Sequence, residues 1–131
     1  MKYFTIEELC KSDIAKKKRI NNVPNSEIIN NLEQLIINIL DPLREEYGNP
    51  IIINSGYRCP ELNKAVGGSK TSHHMLGYAA DITAGNPSKN KILFELIQKL
   101  DLPFDQLIDE KKFSWVHVSY TSEPRKQILH L

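Results

Sequence analysis

The longest regular pattern of apolar positions runs between Ser26 and Gly48. Ile28, Leu32, Leu35, Ile36 and Ile39 recur at helical spacing, the signature of one helix face turned toward a core. Val23-Pro24-Asn25-Ser26 breaks the chain ahead of this helix, Pro42 should kink or restart it, and Gly48 supplies a stop. A second stripe, Ile92, Leu93, Leu96, Ile97 and Leu100, follows the start signal Asn86-Pro87-Ser88 and predicts another amphipathic helix. Thr5-Ile6-Glu7-Glu8 is a capping box that opens a short helix. Ser12-Asp13 caps the next, whose Lys16, Lys17, Lys18 and Arg19 read as a solvated basic face. Pro60 to Val66 makes one or two helical turns, with Asn63 facing back toward the loop around Arg58, and Gly67-Gly68 ends it.

Strands show a different period. Ile51-Ile52-Ile53 reads as a short strand buried on both faces. Ala79 to Thr83 alternates, placing Asp81 on one face and Ala80 and Ile82 on the other. Phe104 to Glu110 and Trp115 to Tyr120 form a hairpin pattern. If Lys111 to Ser114 is its loop, Glu110 opposes Trp115 and Ile108 opposes His117, so Glu110 and His117 share a face. Their Cβ atoms then lie about 7–8 Å apart on the diagonal. A loop longer by one residue would reverse the parity and put Asp109 there instead.

Composition narrows the class. With 131 residues, 40% hydrophobic and 25% charged, the chain suits a single globular domain over residues 1–131 with one core. A net charge of +1 provides no broad basic field, which argues against a nucleic-acid partner. No apolar run approaches the ~20 residues of a membrane span. Met1-Lys2-Tyr3-Phe4 leads into a polar helix and not into the apolar core of a signal peptide, so synthesis in the cytoplasm, with no membrane partner, is expected. Cys10 and Cys59 are far apart and imply no disulfide framework.

The chemistry concentrates between Ser55 and Ile82, which hold Arg58, Gly67-Gly68, His73, His74 and Asp81. Gly67-Gly68 is not a phosphate loop, because no P-loop lysine and serine follow at the required spacing. His74 and Asp81 stand seven positions apart, with Gly77 between them to turn the backbone back, and His117 is the other internal histidine outside this stretch. Two imidazoles and one carboxylate suit zinc and leave a position for water, as in a catalytic site. The adjacent His73 competes with His74 for the same role. Glu110, or Asp109 under the other parity, is the candidate general base. Arg58 could stabilise an oxyanion or clamp a substrate carboxylate. Tyr57, Asn63, Ser69 and Ser72 are candidates to line the cleft, Ser72 equally as a hydrogen-bonding support for a ligand.

The segment Ser72-His73-His74-Met75-Leu76-Gly77-Tyr78-Ala79-Ala80-Asp81-Ile82, read as S-x-H-x-x-G-x-A-x-D-I, followed by Trp115-Val116-His117-Val118, resembles the M15 zinc peptidases. That family includes D-Ala-D-Ala carboxypeptidases and phage endolysin peptidases that cut peptidoglycan stem peptides. The likeness runs from Tyr3 to about Thr121. It implies an α+β fold of the Hedgehog/DD-peptidase type, a small, mostly antiparallel sheet flanked by helices. It also implies His74, Asp81 and His117 as zinc ligands, Arg58 as a substrate contact, and Glu110 as the glutamate just before the hairpin loop. The chain departs from the pattern in having His73 before the ligand and a loop one residue longer before Trp115. The implied protein is a zinc peptidase acting on wall stem peptides, as carboxypeptidase or endopeptidase. A monomer is expected, and the lack of a signal-peptide pattern leads to the expectation of a phage or prophage setting, with release through a holin or assembly into a virion, or else transport by another route. The alternative is a non-catalytic zinc module of the same fold, serving wall or partner recognition.

Overall fold

A computed structural model describes residues 1–131. Helix α1, Ile6–Cys10, starts where the Thr5 hydroxyl accepts from the Glu8 amide at 3.1 Å. Helix α2, Asp13–Lys18, is capped the same way by Ser12, and its lysines are exposed. Helix α3, Ser26–Leu35, begins at Asn25, whose side chain accepts from the Ile28 amide at 2.9 Å. These caps satisfy amides that have no partner inside a first turn.

The helix restarts beside Pro42, which stands in the first turn of a new α-helical segment, by way of a widened turn. A π turn, Ile36–Leu40, joins α3 to α4, Asp41–Tyr47, and the Asp41 amide donates to the Ile36 carbonyl five residues back. The wider turn just ahead of the proline absorbs its missing N–H and its ring. Continuity keeps Leu32, Leu35, Ile36, Ile39, Leu40 and Leu43 on one fully buried stripe. Gly48 then ends the run in the left-handed region at φ 75°.

Five strands form one sheet in the order β1-β2-β4-β3-β5: β1 Ile52–Ser55, β2 Ala79–Thr83, β3 Gln106–Glu110, β4 Trp115–Ser119 and β5 Gln127–His130. All pairings are antiparallel except β3 with β5. Helices α5, Pro60–Ala65, and α6, Pro87–Lys99, complete the α+β architecture. Ala80, Ile82, Leu107, Val116 and Val118 face the helical stripe in one apolar cluster with Leu93 and Ile97 of α6. Period-two alternation therefore turns Asp81, Ile108, Glu110 and His117 to the other side of the sheet.

Two sequence expectations change, and one strand is new. Ile52 is 58% exposed, because β1 is an edge strand, and only Ile51 beside it is buried. Ile92 points outward while Phe94 and Asn90 are buried on α6, Asn90 holding the hairpin loop through the Phe113 and Ser114 carbonyls. Strand β5 is an addition, placed by direct parallel pairing with β3, from which β4 separates it only in sequence, rather than by a local pattern. Both cysteines are free, and burial, with Glu7 nearby, pushes the Cys10 thiol up to about 11.

Gly56 is a tight approach between the sheet and α1. A Cβ there would sit 2.2 Å from the Leu9 carbonyl oxygen, and the neighbouring Tyr57 amide donates to that oxygen at 2.7 Å. Gly56→Ala must move backbone, so it should cost about 1–3 kcal/mol, read as a lower urea midpoint at unchanged slope.

Asp105 secures the C-terminal segment. Hydrogen bonds from Arg125 hold its carboxyl below the usual range, against the effect of burial. A depressed folded-state pKa contributes stability that is present above the unfolded value, about 4, and is lost as pH falls through the folded one. Unfolding free energy should thus decline from about pH 5 downward, and Asp105→Asn should flatten part of that decline in denaturant titrations across pH.

Candidate active site

The loop after β1 and the turn before β2 are tied together. Ser72 caps a single 3-10 turn, His73–Leu76, with its hydroxyl accepting from the His74 amide at 3.2 Å. Arg58 binds the same turn twice: its amide donates to the His74 carbonyl at 3.1 Å and its Nη2 to the Ser72 hydroxyl at 3.3 Å. Gly77 ends the turn at φ 76°, where a Cβ would lie 2.9 Å from the Ile28 carbonyl oxygen. Chain reversal there carries Asp81 back beside His74.

His74 is buried, and its Nδ1–H donates to the Gly56 carbonyl at 2.7 Å. That bond sets the tautomer and turns Nε2 inward, 3.3 Å from Asp81 Oδ2. His117, directly across from Asp81 on β4, places Nδ1 2.9 Å from Asp81 Oδ1. The ligand atoms of His74, Asp81 and His117 all lie within 4.8 Å of one another. Burial pushes the Asp81 carboxyl up, but the His117 hydrogen bond and the closeness of both imidazoles outweigh it and keep it well below the carboxylate range. Two imidazoles and an ionised carboxylate, one imidazole already oriented by a backbone carbonyl, fit zinc.

His73 does not join this group. Its Nδ1 is 3.8 Å from Asp105, and its ring meets Tyr78 edge-on. The adjacent histidines diverge because consecutive side chains on a tight turn cannot aim at one point.

The triad lies in a cleft of about 520 Å³ whose wall includes Arg58, Ser69, Ser72, Ile108, Glu110 and Trp115. Hairpin pairing sets Ile108 opposite His117 and Glu110 opposite Trp115, the register of the Lys111 to Ser114 loop. The Trp115 indole N–H donates to Glu110 Oε2 at 2.6 Å. Asp109 is buried on the other face, opposite Val116, where it contacts His130 of β5. Arg58 has its Nε buried without a partner. Burial lowers its pKa while Asp81 and Glu110 favour the charged form, and an arginine stays cationic throughout.

Two cleft candidates lie elsewhere. Asn63 is buried under the loop, its amide donating to the Ser69 carbonyl at 2.8 Å. Tyr57 packs in the core and borders a neighbouring groove along β1. Conversely, Trp115, Gln106 and Arg125 line the cleft without having been singled out. The cross-strand register could have pointed to Trp115. No local pattern points to Arg125, which arrives through its pairing with Asp105.

The chain is similar to known peptidases. A zinc D-Ala-D-Ala carboxypeptidase from Streptomyces albus G is 44% identical over 48 residues, 36% of this chain and 19% of that protein. The family model described as Peptidase M15 matches residues 2–119, from the segment before α1 to the end of β4, and the chain belongs to the peptidase M15 family.

Proposed function

We propose that the protein is a zinc-dependent peptidase that cuts peptidoglycan stem peptides, with residues 1–131 acting as one catalytic unit. The observation that carries this reading is the convergence of His74, Asp81 and His117 on the floor of a cleft that Glu110 and Arg58 also line. The similarity to a zinc D-Ala-D-Ala carboxypeptidase supports the substrate class. Bound zinc would supply Lewis acidity, polarising a carbonyl and acidifying water within its reach.

The protein's own groups would do the remaining work. Glu110 takes the proton of the attacking water and later returns it to the leaving amine, while the Trp115 N–H keeps one carboxylate oxygen fixed. Arg58, anchored by Ser72, offers its free N–H groups to the developing oxyanion or to a substrate carboxylate. Ser69 and Ser72 border the peptide's path. The buried His74 and its Gly56 carbonyl partner resist displacement, so the ligand set stays in place as the peptide enters.

Mass spectrometry of purified muropeptides before and after digestion tests the reading. Loss of a terminal alanine supports a carboxypeptidase, and internal cleavage supports an endopeptidase. A zinc-loaded protein inert on every wall peptide would instead support a recognition module. A phage or prophage lysis setting belongs to the same proposal; no helix is long and apolar enough to cross a membrane. Wall-degrading activity released by expressing cells only on lysis supports that setting, and activity secreted by intact cells opposes it.

A further inference from the structure

Arg125 lies beyond the residues that the family model matches, yet it lines the cleft. It is held with unusual firmness for a side chain that is 56% exposed. Its Nε donates to Asp105 Oδ1 at 2.9 Å, its Nη2 to Oδ2 at 2.8 Å, and its own amide to Oδ1 at 3.0 Å. Asp105 is almost fully buried, its amide donating to the Ser119 carbonyl at 2.8 Å. The next two residues are pinned as well: the Lys126 amide donates to the Phe104 carbonyl and the Gln127 amide to the Asp105 carbonyl. A surface ion pair ordinarily contributes little, because two flexible side chains must be ordered to form it. Here the backbone and a buried carboxylate have already fixed the guanidinium.

That fixing leaves donors unused. Asp105 engages one edge of the guanidinium fork, and Nη1 has no partner in the protein. A planar fork fixed before binding loses little entropy when a second carboxylate docks on it. Arg58 borders the same cleft and is held by the turn that carries His74. The cleft thus presents two independently anchored guanidinium groups, one tied to the metal-site turn and the other to the C-terminal segment.

We propose that Arg125 is a specificity residue, binding a substrate carboxylate away from the scissile bond, so that the preferred substrate is a peptide bearing a free carboxyl there. This rests on the peptidase reading above. The test uses zinc-loaded enzyme and synthetic stem peptides in which each non-terminal carboxyl is converted in turn to the carboxamide. For wild type, one such conversion should raise KM about 10- to 100-fold, the effect expected of a charge-assisted hydrogen bond, with little change in kcat. In Arg125→Gln, KM for the free acid should rise by a similar factor, and discrimination between that acid and its carboxamide should fall below about twofold. Arg125→Lys keeps a cation beside Asp105 and serves if the glutamine variant does not fold; it should lose at least half of the discrimination on a logarithmic scale. A variant with a lower melting temperature but wild-type discrimination overturns the proposal and makes Arg125 a tie for the C-terminal segment only. An active wild type indifferent to every conversion overturns it too. A zinc-loaded wild type that cleaves no peptide removes the peptidase reading and this inference together.

Discussion

Replacing His74 with alanine should strip the protein of zinc, whereas replacing the adjacent His73 should leave zinc content near wild type. His74 supplies Nε2 to a group that also contains Asp81 and His117, and its other nitrogen is committed to the Gly56 carbonyl. Removing a hydrogen bond behind a ligand typically costs 10- to 100-fold in metal affinity, so removing the ligand itself should cost more than about 100-fold. His73 is directed at Asp105 and Tyr78. Competition against a chromophoric chelator measures both affinities, with far-UV circular dichroism showing that each variant is folded. Lost zinc binding in His73→Ala with normal binding in His74→Ala would reverse the ligand assignment.

The second large effect separates binding from chemistry. Glu110→Gln keeps the shape of the side chain and an oxygen able to accept from the Trp115 indole, but it removes the group that takes a proton. Zinc content and melting temperature should stay near wild type, while kcat falls by at least the ~10²-fold typical of a lost general base. Asp109→Asn should behave differently. Asp109 faces away from the cleft and contacts His130, so its substitution should loosen β5 and lower stability while leaving kcat within about threefold of wild type, well short of the loss expected for a base. If Asp109→Asn retains zinc and loses turnover while Glu110→Gln stays active, the roles are exchanged.

These assignments differ in how directly local sequence leads to them. The meeting of His74 with Asp81 follows from a short spacing and a glycine that must adopt positive φ, both contained within a few residues. The position of Glu110 follows from strand parity, because a period of two and a defined loop leave one register. The helical stripe between Ser26 and Tyr47 was equally legible, although the π turn before Pro42 was not, since helical periodicity is nearly blind to one widened turn. Features set by distant pairing escaped. Ile52 looks like a core residue until β1 is known to be the sheet edge. Arg125 looks like one more surface charge until Asp105, twenty positions earlier, is seen buried beneath it. Tyr57 and Asn63 stand close in sequence to the site, but their side chains are drawn into the core and under the Ser69 loop, where apolar contact and the Ser69 carbonyl hold them.

The most direct test of the whole account is hydrolysis of purified cell wall by one preparation assayed in three states: as isolated, after complete zinc removal by a chelator, and after zinc is restored, with bound metal counted each time by elemental analysis. Wall cleavage should disappear with the metal and return in proportion to zinc, up to one ion per chain. Cleavage that persists in protein shown to be free of metal would contradict a zinc-dependent mechanism.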